Sequence, residues 1–198
     1  VNFRGQLQCD GYSAYGAYAS GREGIELAAC LAHIRRKIYE AKDQDPRVAG
    51  FLLKHIRNLY LIECRLRRHR AGPTLRQAVR EAESRPIFLR LQKTLLKVKA
   101  RYLPQSAFGQ ALAYALGQWP RMELWLQHGQ IEIDNNLVEN AIRPTKKKKK
   151  NWLFFGDAGA GQRSAVIYTI IENCRLQGID PYAYLRDVLT RLPGMTNQ

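Results

Sequence analysis

The sequence predicts an α/β chain in which a large all-helical insert interrupts a small strand-containing core and a helical segment follows at the C-terminus. Three observations predict this class. Apolar and polar residues alternate in residues 3–10 and again in residues 25–30, which is the period of a β-strand. Apolar residues then recur every three or four positions over residues 46–128, which is the period of amphipathic helices. Finally, Gly178 and the pair Asp180-Pro181 are end and start signals for C-terminal helices.

The first strand candidate ends at Gly11, which places the carboxylate of Asp10 at the strand's C-terminal tip. The second alternating run passes directly into a basic helix predicted over residues 33–42. Turn signals at Gly72-Pro73 and Pro104 are short, so the insert is predicted to consist of hairpinned helices without a flexible linker.

The pattern changes again after Gly129. The triplet Asp134-Asn135-Asn136 introduces a helix that is predicted to close at Pro144. A lysine run, an apolar strand candidate and a glycine-rich turn precede the last two helices. The predicted divisions are a first core part (1–45), a basic helical insert (46–128), a helix with the lysine run (129–150), and a C-terminal strand with helices (151–198).

The charge of the chain is large and concentrated in the insert. The 198 residues carry a formal net charge of +15, and residues 46–101 hold 15 Lys and Arg against 3 Asp and Glu. Helical surfaces usually mix both signs, so this ratio indicates a polyanionic partner, nucleic acid before an anionic membrane surface. The alternative is a merely solvated basic surface.

Two function classes are disfavoured by composition. No apolar stretch approaches the length of a membrane span, and the first residues lack a secretory pattern, so a cytoplasmic protein without membrane contact is expected. The four cysteines include no Cys-x-x-Cys pair, which argues against a disulfide framework and a ribbon-type zinc site. Cys30 and His33 have ligand spacing, but Cys64 and His69 lie about 140° apart around a helix and cannot easily complete a site.

Two acidic residues are candidates for metal binding. Asp10 lies at a strand tip, and Glu139 follows on the helix after Asn136. Carboxylates brought together in this way can hold Mg²⁺, and paired ions support phosphoryl transfer. Each residue also has a structural alternative: Asn136-x-x-Glu139 has the spacing of a capping box, and Asp10 can close a strand before a glycine turn.

A glycine-rich turn, residues 156–161, follows the apolar strand candidate and precedes a helix. This is the setting of a phosphate-binding loop, but Gln162 and Arg163 stand where that loop needs Lys and Ser or Thr. Nucleotide hydrolysis is therefore not predicted, although Arg163 can still meet a DNA phosphate.

Several motifs in order along the chain resemble the transposases of the insertion sequence 66 family. They are Cys9-Asp10-Gly11-Tyr12, Cys30-Leu31-Ala32-His33-Ile34-Arg35-Arg36-Lys37, Ile133-Asp134-Asn135-Asn136-Leu137-Val138-Glu139-Asn140-Ala141-Ile142-Arg143-Pro144, Lys150-Asn151-Trp152-Leu153-Phe154 and Gly178-Ile179-Asp180-Pro181-Tyr182-Ala183-Tyr184-Leu185. The resemblance spans almost the whole chain. It implies a ribonuclease-H-like core, interrupted by the helical insert, that uses three acids and a divalent metal to cut and join DNA.

The resemblance assigns Asp10 as the second catalytic acid and Glu139 as the third, with Mg²⁺ or Mn²⁺ as the cofactor. The first acid belongs on a strand upstream of Val1 and is absent from this sequence. We therefore expect weak or no metal binding and no catalysis by this chain alone, whether it is a truncated copy, a fragment or half of a split enzyme. Self-association and pairing with an upstream transposase segment are left open.

The cationic candidates for DNA phosphate contact lie around these motifs. They are Arg35, Arg36, Arg143, Lys146, Lys147, Lys148, Lys149, Lys150 and Arg163. The lysine run departs from the family, in which a shorter basic pair usually precedes Asn-Trp-Leu, and a solvated loop is its structural alternative. The competing function is a non-catalytic nucleic-acid-binding module that acts through the basic insert.

Overall fold

The computed structural model describes residues 3–147 and 156–195. Lys148, Lys149, Lys150 and the strand predicted over residues 151–155 lie outside the described residues. The chain divides into an N-terminal unit, Val1–Asn136, and a C-terminal unit, Leu137–Gln198.

The N-terminal unit contains two strands and six helices. In chain order they are β1 (Gly5–Cys9), α1 (Ser13–Ala19), β2 (Ile25–Ala29), α2 (Leu31–Glu40), α3 (Pro46–Arg68), α4 (Pro73–Val79), α5 (Arg85–Lys99) and α6 (Ala107–Gln127). A single π-helical turn, Arg80–Ser84, joins α4 to α5. The first two predicted strands and the helices predicted within residues 46–128 are confirmed. A mostly helical unit with a two-stranded parallel sheet is compatible with the predicted α/β class.

The two strands form a parallel sheet in which Gly5 pairs with Ile25 and Cys9 pairs with Ala29. Parallel strands need a crossover connection, and here α1 lies within it. Because both strands run in the same direction, their C-terminal ends meet at one edge of the sheet. Asp10 and Cys30, the residues that follow the strands, therefore lie at the same edge.

The core of the N-terminal unit surrounds α6. The apolar stripes predicted from periodicity are buried, including Leu52, Ile56 and Leu59 on α3 and Leu91 and Leu95 on α5. α6 packs against β2, α2 and α5. Burial of these stripes holds the helical insert against the sheet. It contributes about 25 cal/mol of stabilising free energy per Å² of apolar surface buried.

The C-terminal unit holds most of α7 (Asn136–Lys147) and all of α8 (Ala158–Leu176) and α9 (Pro181–Arg191). Asp180 accepts a hydrogen bond from the backbone N–H of Tyr182 at 3.0 Å and caps α9, and Gly178 ends the preceding turn with a φ of +70°. Both predicted signals are confirmed.

Two boundary predictions are wrong. The helix predicted to close at Pro144 continues to Lys147, because a proline removes one hydrogen bond of a helix without necessarily ending it. The glycine-rich turn is also shorter than predicted. Asp157 accepts a hydrogen bond from the N–H of Ala160 at 2.7 Å, so α8 already begins at Ala158 and includes Gly159 and Gly161.

None of the helices formed by the described residues is long and apolar enough to cross a membrane.

Candidate active site

Asp10 lies directly after β1 and is partly exposed. Its Oδ1 accepts a hydrogen bond from the backbone N–H of Tyr12 at 3.0 Å, so the turn-closing role is present. Among the described residues, no hydrogen bond is made to the other carboxylate oxygen. One oxygen can therefore hold the turn while the other remains available to a ligand.

The turn after Asp10 is fixed against α6. The hydroxyl of Tyr114 donates to the carbonyl oxygen of Asp10 at 2.6 Å. Burial, followed by the nearby charge of Asp10, raises the pKa of Tyr114 to about 12, so the phenol stays protonated at neutral pH. Gly11 has a φ of +84°, and a Cβ there would lie 2.8 Å from Nε2 of Gln118. The position of Asp10 is thus set by backbone contacts on both sides.

A buried carboxylate, Asp134, lies in the segment before α7, near Cys30, the residue that follows β2. It accepts a hydrogen bond from the backbone N–H of Asn136 at 3.1 Å and another from the hydroxyl of Tyr60. Burial, then the charge of Asp134, raises the pKa of Tyr60 above its ordinary value, so Tyr60 remains a donor. Burial likewise raises the pKa of the Cys30 thiol, which lies against the backbone of Asn135.

The segment before α7 crosses the sheet edge at which both strands end. The N–H of Leu31 donates to the carbonyl of Ile133 at 3.1 Å. The side-chain amide of Gln8 on β1 donates to the carbonyls of Ala29 at 3.1 Å and Glu132 at 2.7 Å. The residues that lead into α7 are therefore bonded to the same edge that carries Asp10.

Glu139 lies in the first turn of α7, three residues after Asn136. The spacing of a capping box requires a Glu139 carboxylate to accept from the N–H of Asn136. The N–H of Asn136 donates to Oδ1 of Asp134 at 3.1 Å, so Asp134 caps the start of α7.

An ionic network that sequence reasoning missed supports the same segment. Arg80 is fully buried and binds the buried Glu63 through two nitrogens, at 2.8 and 2.9 Å. The remaining terminal nitrogen of Arg80 donates to the carbonyls of Trp125 at 2.9 Å and His128 at 3.0 Å. Arg80 thus joins α3 to the end of α6. The signal in the sequence was that Glu63 stands four residues after Leu59 and three before Leu66, both on the apolar stripe.

The network continues to Glu132, which precedes Asp134. Arg76 contacts Glu63 at 3.1 Å and Glu132 at 2.8 Å, and Arg67 contacts Glu132 at 2.7 Å. Nearby, Gly129 packs so closely on the backbone of Pro73 that a Cβ there would lie 1.8 Å from the Pro73 carbonyl oxygen. Residues 128–134 are therefore held by side chains from α3 and α4.

We expect acid to weaken this support at Glu132. Burial opposes its charge, but the hydrogen bonds and charges of Arg76 and Arg67 outweigh burial, so its pKa lies below the ordinary 4.5. A folded-state pKa below the unfolded one stabilises the fold above pH 4.5, and that contribution is lost as pH falls through the lowered pKa. Urea unfolding measured as the pH is lowered through this range should show a smaller fall in the free energy of unfolding for Glu132→Gln than for the parent chain. Equal losses in both proteins would contradict this account.

The predicted cationic residues occur in both units. Arg35 and Arg36 are exposed on α2, and Arg35 lies 5.9 Å from the centre of the Tyr39 ring. Arg143 is exposed on α7, and the backbone of Lys146 and Lys147 continues that helix. Arg163 lies 3.8 Å from Asp157, the cap of α8, so part of its charge is used within the chain.

No group of three or more His, Cys, Asp or Glu side chains within residues 3–147 and 156–195 could hold a metal ion. Cys64 is exposed whereas Cys30 is buried, and the zinc arrangement considered from spacing is not formed.

Comparison with known proteins covers nearly the entire chain. The family model described as "Transposase IS66 family" matches residues 1–163, and "IS66 C-terminal element" matches residues 169–198. No solved structure matches the chain.

Similar curated proteins come from Sinorhizobium fredii strain NGR234. "Uncharacterized protein y4jD" is 36% identical over 97% of this chain, and "Uncharacterized protein y4qI" is 37% identical over 97%. The aligned region is 38% of the first relative and 36% of the second, so the chain spans well under half their length. With both family models matched in order along its length, the chain belongs to the IS66 family of transposases.

Proposed function

We propose that this chain is the central and C-terminal part of a transposase that cuts and joins DNA by metal-dependent phosphoryl transfer. Asp10 and Glu139 serve as two of its metal-binding acids, in a core of the ribonuclease-H type. The observation that supports the proposal is that Glu132 and Ile133 are bonded to the sheet edge where Asp10 follows β1. These two residues directly precede the Asp134–Asn136 turn, which begins the helix of Glu139.

The donor chemistry suits magnesium or manganese. These ions prefer carboxylate oxygens and keep several waters that a phosphate oxygen can replace. Asp10 and Glu139 would hold such an ion, which would supply positive charge that stabilises the attacking and leaving oxygens in phosphoryl transfer. Asp10 contributes through the carboxylate oxygen that its turn does not use, while Tyr114 and Gly11 keep it in place.

The first of the three catalytic acids is proposed to come from an upstream segment. Within the described residues, β1 pairs only with β2. Parallel sheets usually have more strands and are covered on both faces. The greater length of the relatives is consistent with further strands beside β1. Without them we expect the 198-residue chain to be catalytically incompetent, and metal-dependent strand transfer by the purified chain would refute this expectation.

The DNA partner is proposed to meet the exposed cations near these elements. Arg35 and Arg36 on α2 and Arg143 on α7 are placed to neutralise phosphates, together with Arg163. The lysine run, Lys146, Lys147, Lys148, Lys149 and Lys150, is assigned the same role from the sequence. Self-association and pairing with an upstream transposase segment are the two proposed ways of completing the assembly.

Metal binding tests the proposed pair of acids. Mn²⁺ affinity is measured by electron paramagnetic resonance titration for the parent chain, Asp10→Asn, Glu139→Gln and the double variant. If the acids share an ion, each single change weakens binding and the double change adds little, because the coupled effects are not additive. Asp43→Asn, an exposed acid of the N-terminal unit, is the matched control and should bind as the parent does. The proposal is contradicted if the losses of Mn²⁺ affinity in the two single variants add up in the double variant, or if they only equal the loss in Asp43→Asn.

A second candidate function is a non-catalytic nucleic-acid-binding module. Residues 46–101 hold 15 basic and 3 acidic residues, which favours this function because binding of DNA phosphates by basic side chains requires no metal ion. It predicts DNA binding that is unaffected by Asp10→Asn, Glu139→Gln or metal chelation.

A further inference from the structure

The exposed side of α5 carries cations without accompanying acids. Residues 85–101 contain six Lys and Arg and no Asp or Glu. Arg90, Lys93 and Lys97 are exposed and spaced by three and four residues, so they share one face of the helix. We call these three residues the α5 stripe.

The three acids of residues 46–101 are already paired with arginines other than the α5 stripe. Glu63 is bound by Arg80 and Arg76 inside the unit. Glu81 pairs with Arg85, and Glu83 pairs with Arg65, each at 2.5 Å. In the part of the chain that the structure describes, no member of the α5 stripe forms an ion pair. The positive charge left after internal pairing therefore includes this whole stripe.

The stripe is presented on a rigid support. The opposite side of α5 is buried through Phe88, Leu91, Leu95 and Val98. The Phe88 ring stacks on Trp119 of α6 with ring centres 4.4 Å apart. From Arg90 to Lys97 the helix rises about 10 Å. Duplex DNA has one phosphate per roughly 3.4 Å of axis on each strand, so the stripe matches about three phosphates.

We propose that the α5 stripe binds the sugar–phosphate backbone of duplex DNA without reading its sequence. The inference rests on the proposed function in one respect, namely that DNA is the partner. An anionic membrane is the less suitable occupant, because a helix that lies on a bilayer buries a continuous apolar face in the lipid. The continuous apolar face of α5 is already buried against α6, although Leu89 and Leu96 are exposed beside the cations.

The test compares two triple variants with the same loss of three charges. R90Q/K93Q/K97Q removes the stripe. R65Q/R85Q/R175Q removes the exposed Arg65 and Arg175 and the partly exposed Arg85, which pair with Glu83, Glu172 and Glu81 respectively. Binding of a fluorescent 30-base-pair duplex is measured by anisotropy at several NaCl concentrations, with far-UV circular dichroism to show that both variants are folded.

The stripe variant is expected to reduce the log–log salt slope by about 0.9 for each lost contact, or roughly 2.7 for three. The control should keep the parent slope. Equal slopes for both variants would overturn the proposal, because net charge alone would then explain binding. It would also be overturned if the stripe variant kept DNA binding and instead lost binding to phosphatidylserine vesicles. The Mn²⁺ titration of Asp10 and Glu139 is independent of either result.

Discussion

Replacing Arg80 with methionine is expected to lower the free energy of unfolding by about 3–5 kcal/mol. The substitution leaves the buried carboxylate of Glu63 without its two-nitrogen partner. It also removes the donor to the carbonyls of Trp125 and His128, at the end of α6. Urea unfolding followed by far-UV circular dichroism measures the change.

A double variant separates the lost charge pair from lost packing. In Glu63→Leu/Arg80→Met, no buried charge of this pair remains, so much of the stability should return. A single Arg80→Met variant as stable as the parent would show that the ionic network does not support the fold.

Replacing Trp119 with alanine is expected to cost about 3–5 kcal/mol, the usual range for a buried tryptophan. Trp119 is 2% exposed and stacks on Phe88, so its loss opens a cavity between α5 and α6. The same urea titration applies.

Trp119→Phe is the matched control for this cavity. The buried indole N–H has no hydrogen-bond partner in the described part of the chain, so phenylalanine sacrifices no hydrogen bond and keeps an aromatic face. We expect it to lose clearly less stability than Trp119→Ala. Similar losses in both variants would contradict the stacking explanation.

Periodicity predicted the elements that bury an apolar face. The alternating runs form β1 and β2, and the apolar stripes that include Leu52, Ile56 and Leu91 are buried in the core. An element that buries one face must repeat apolar residues with its own period, so the pattern can be found in the sequence. Asp10 was located in the same way, since the end of a strand follows from Gly11. Local capping signals at Asp180 also held, because an N-cap depends on neighbouring residues alone.

What the sequence did not reveal depends on contacts between distant residues. Nothing local to Asp134 shows that Tyr60 will donate to it, because the two residues lie far apart along the chain. The pairing of Arg80 with Glu63 has the same origin. The end predicted for α7 at Pro144 is wrong because proline disfavours a helix interior without excluding it, and α7 continues to Lys147.

The role of Glu139 can likewise be predicted only in part from its neighbours in the sequence. Its spacing from Asn136 suggested a capping box, but the N–H of Asn136 is bound by Asp134, which sequence spacing had not assigned to that task. Asp134 is therefore the carboxylate that caps the start of α7, and the metal role of Glu139 stays a proposal.

The central proposal is that Asp10 and Glu139 supply carboxylates to one metal ion. Nitroxide labels at D10C and E139C test it most directly, in a Cys64→Ser background because Cys64 is exposed while the other three cysteines are buried. The account predicts strong dipolar broadening of the frozen-solution electron paramagnetic resonance spectrum of the doubly labelled chain. A spectrum equal to the sum of the two singly labelled chains would contradict it.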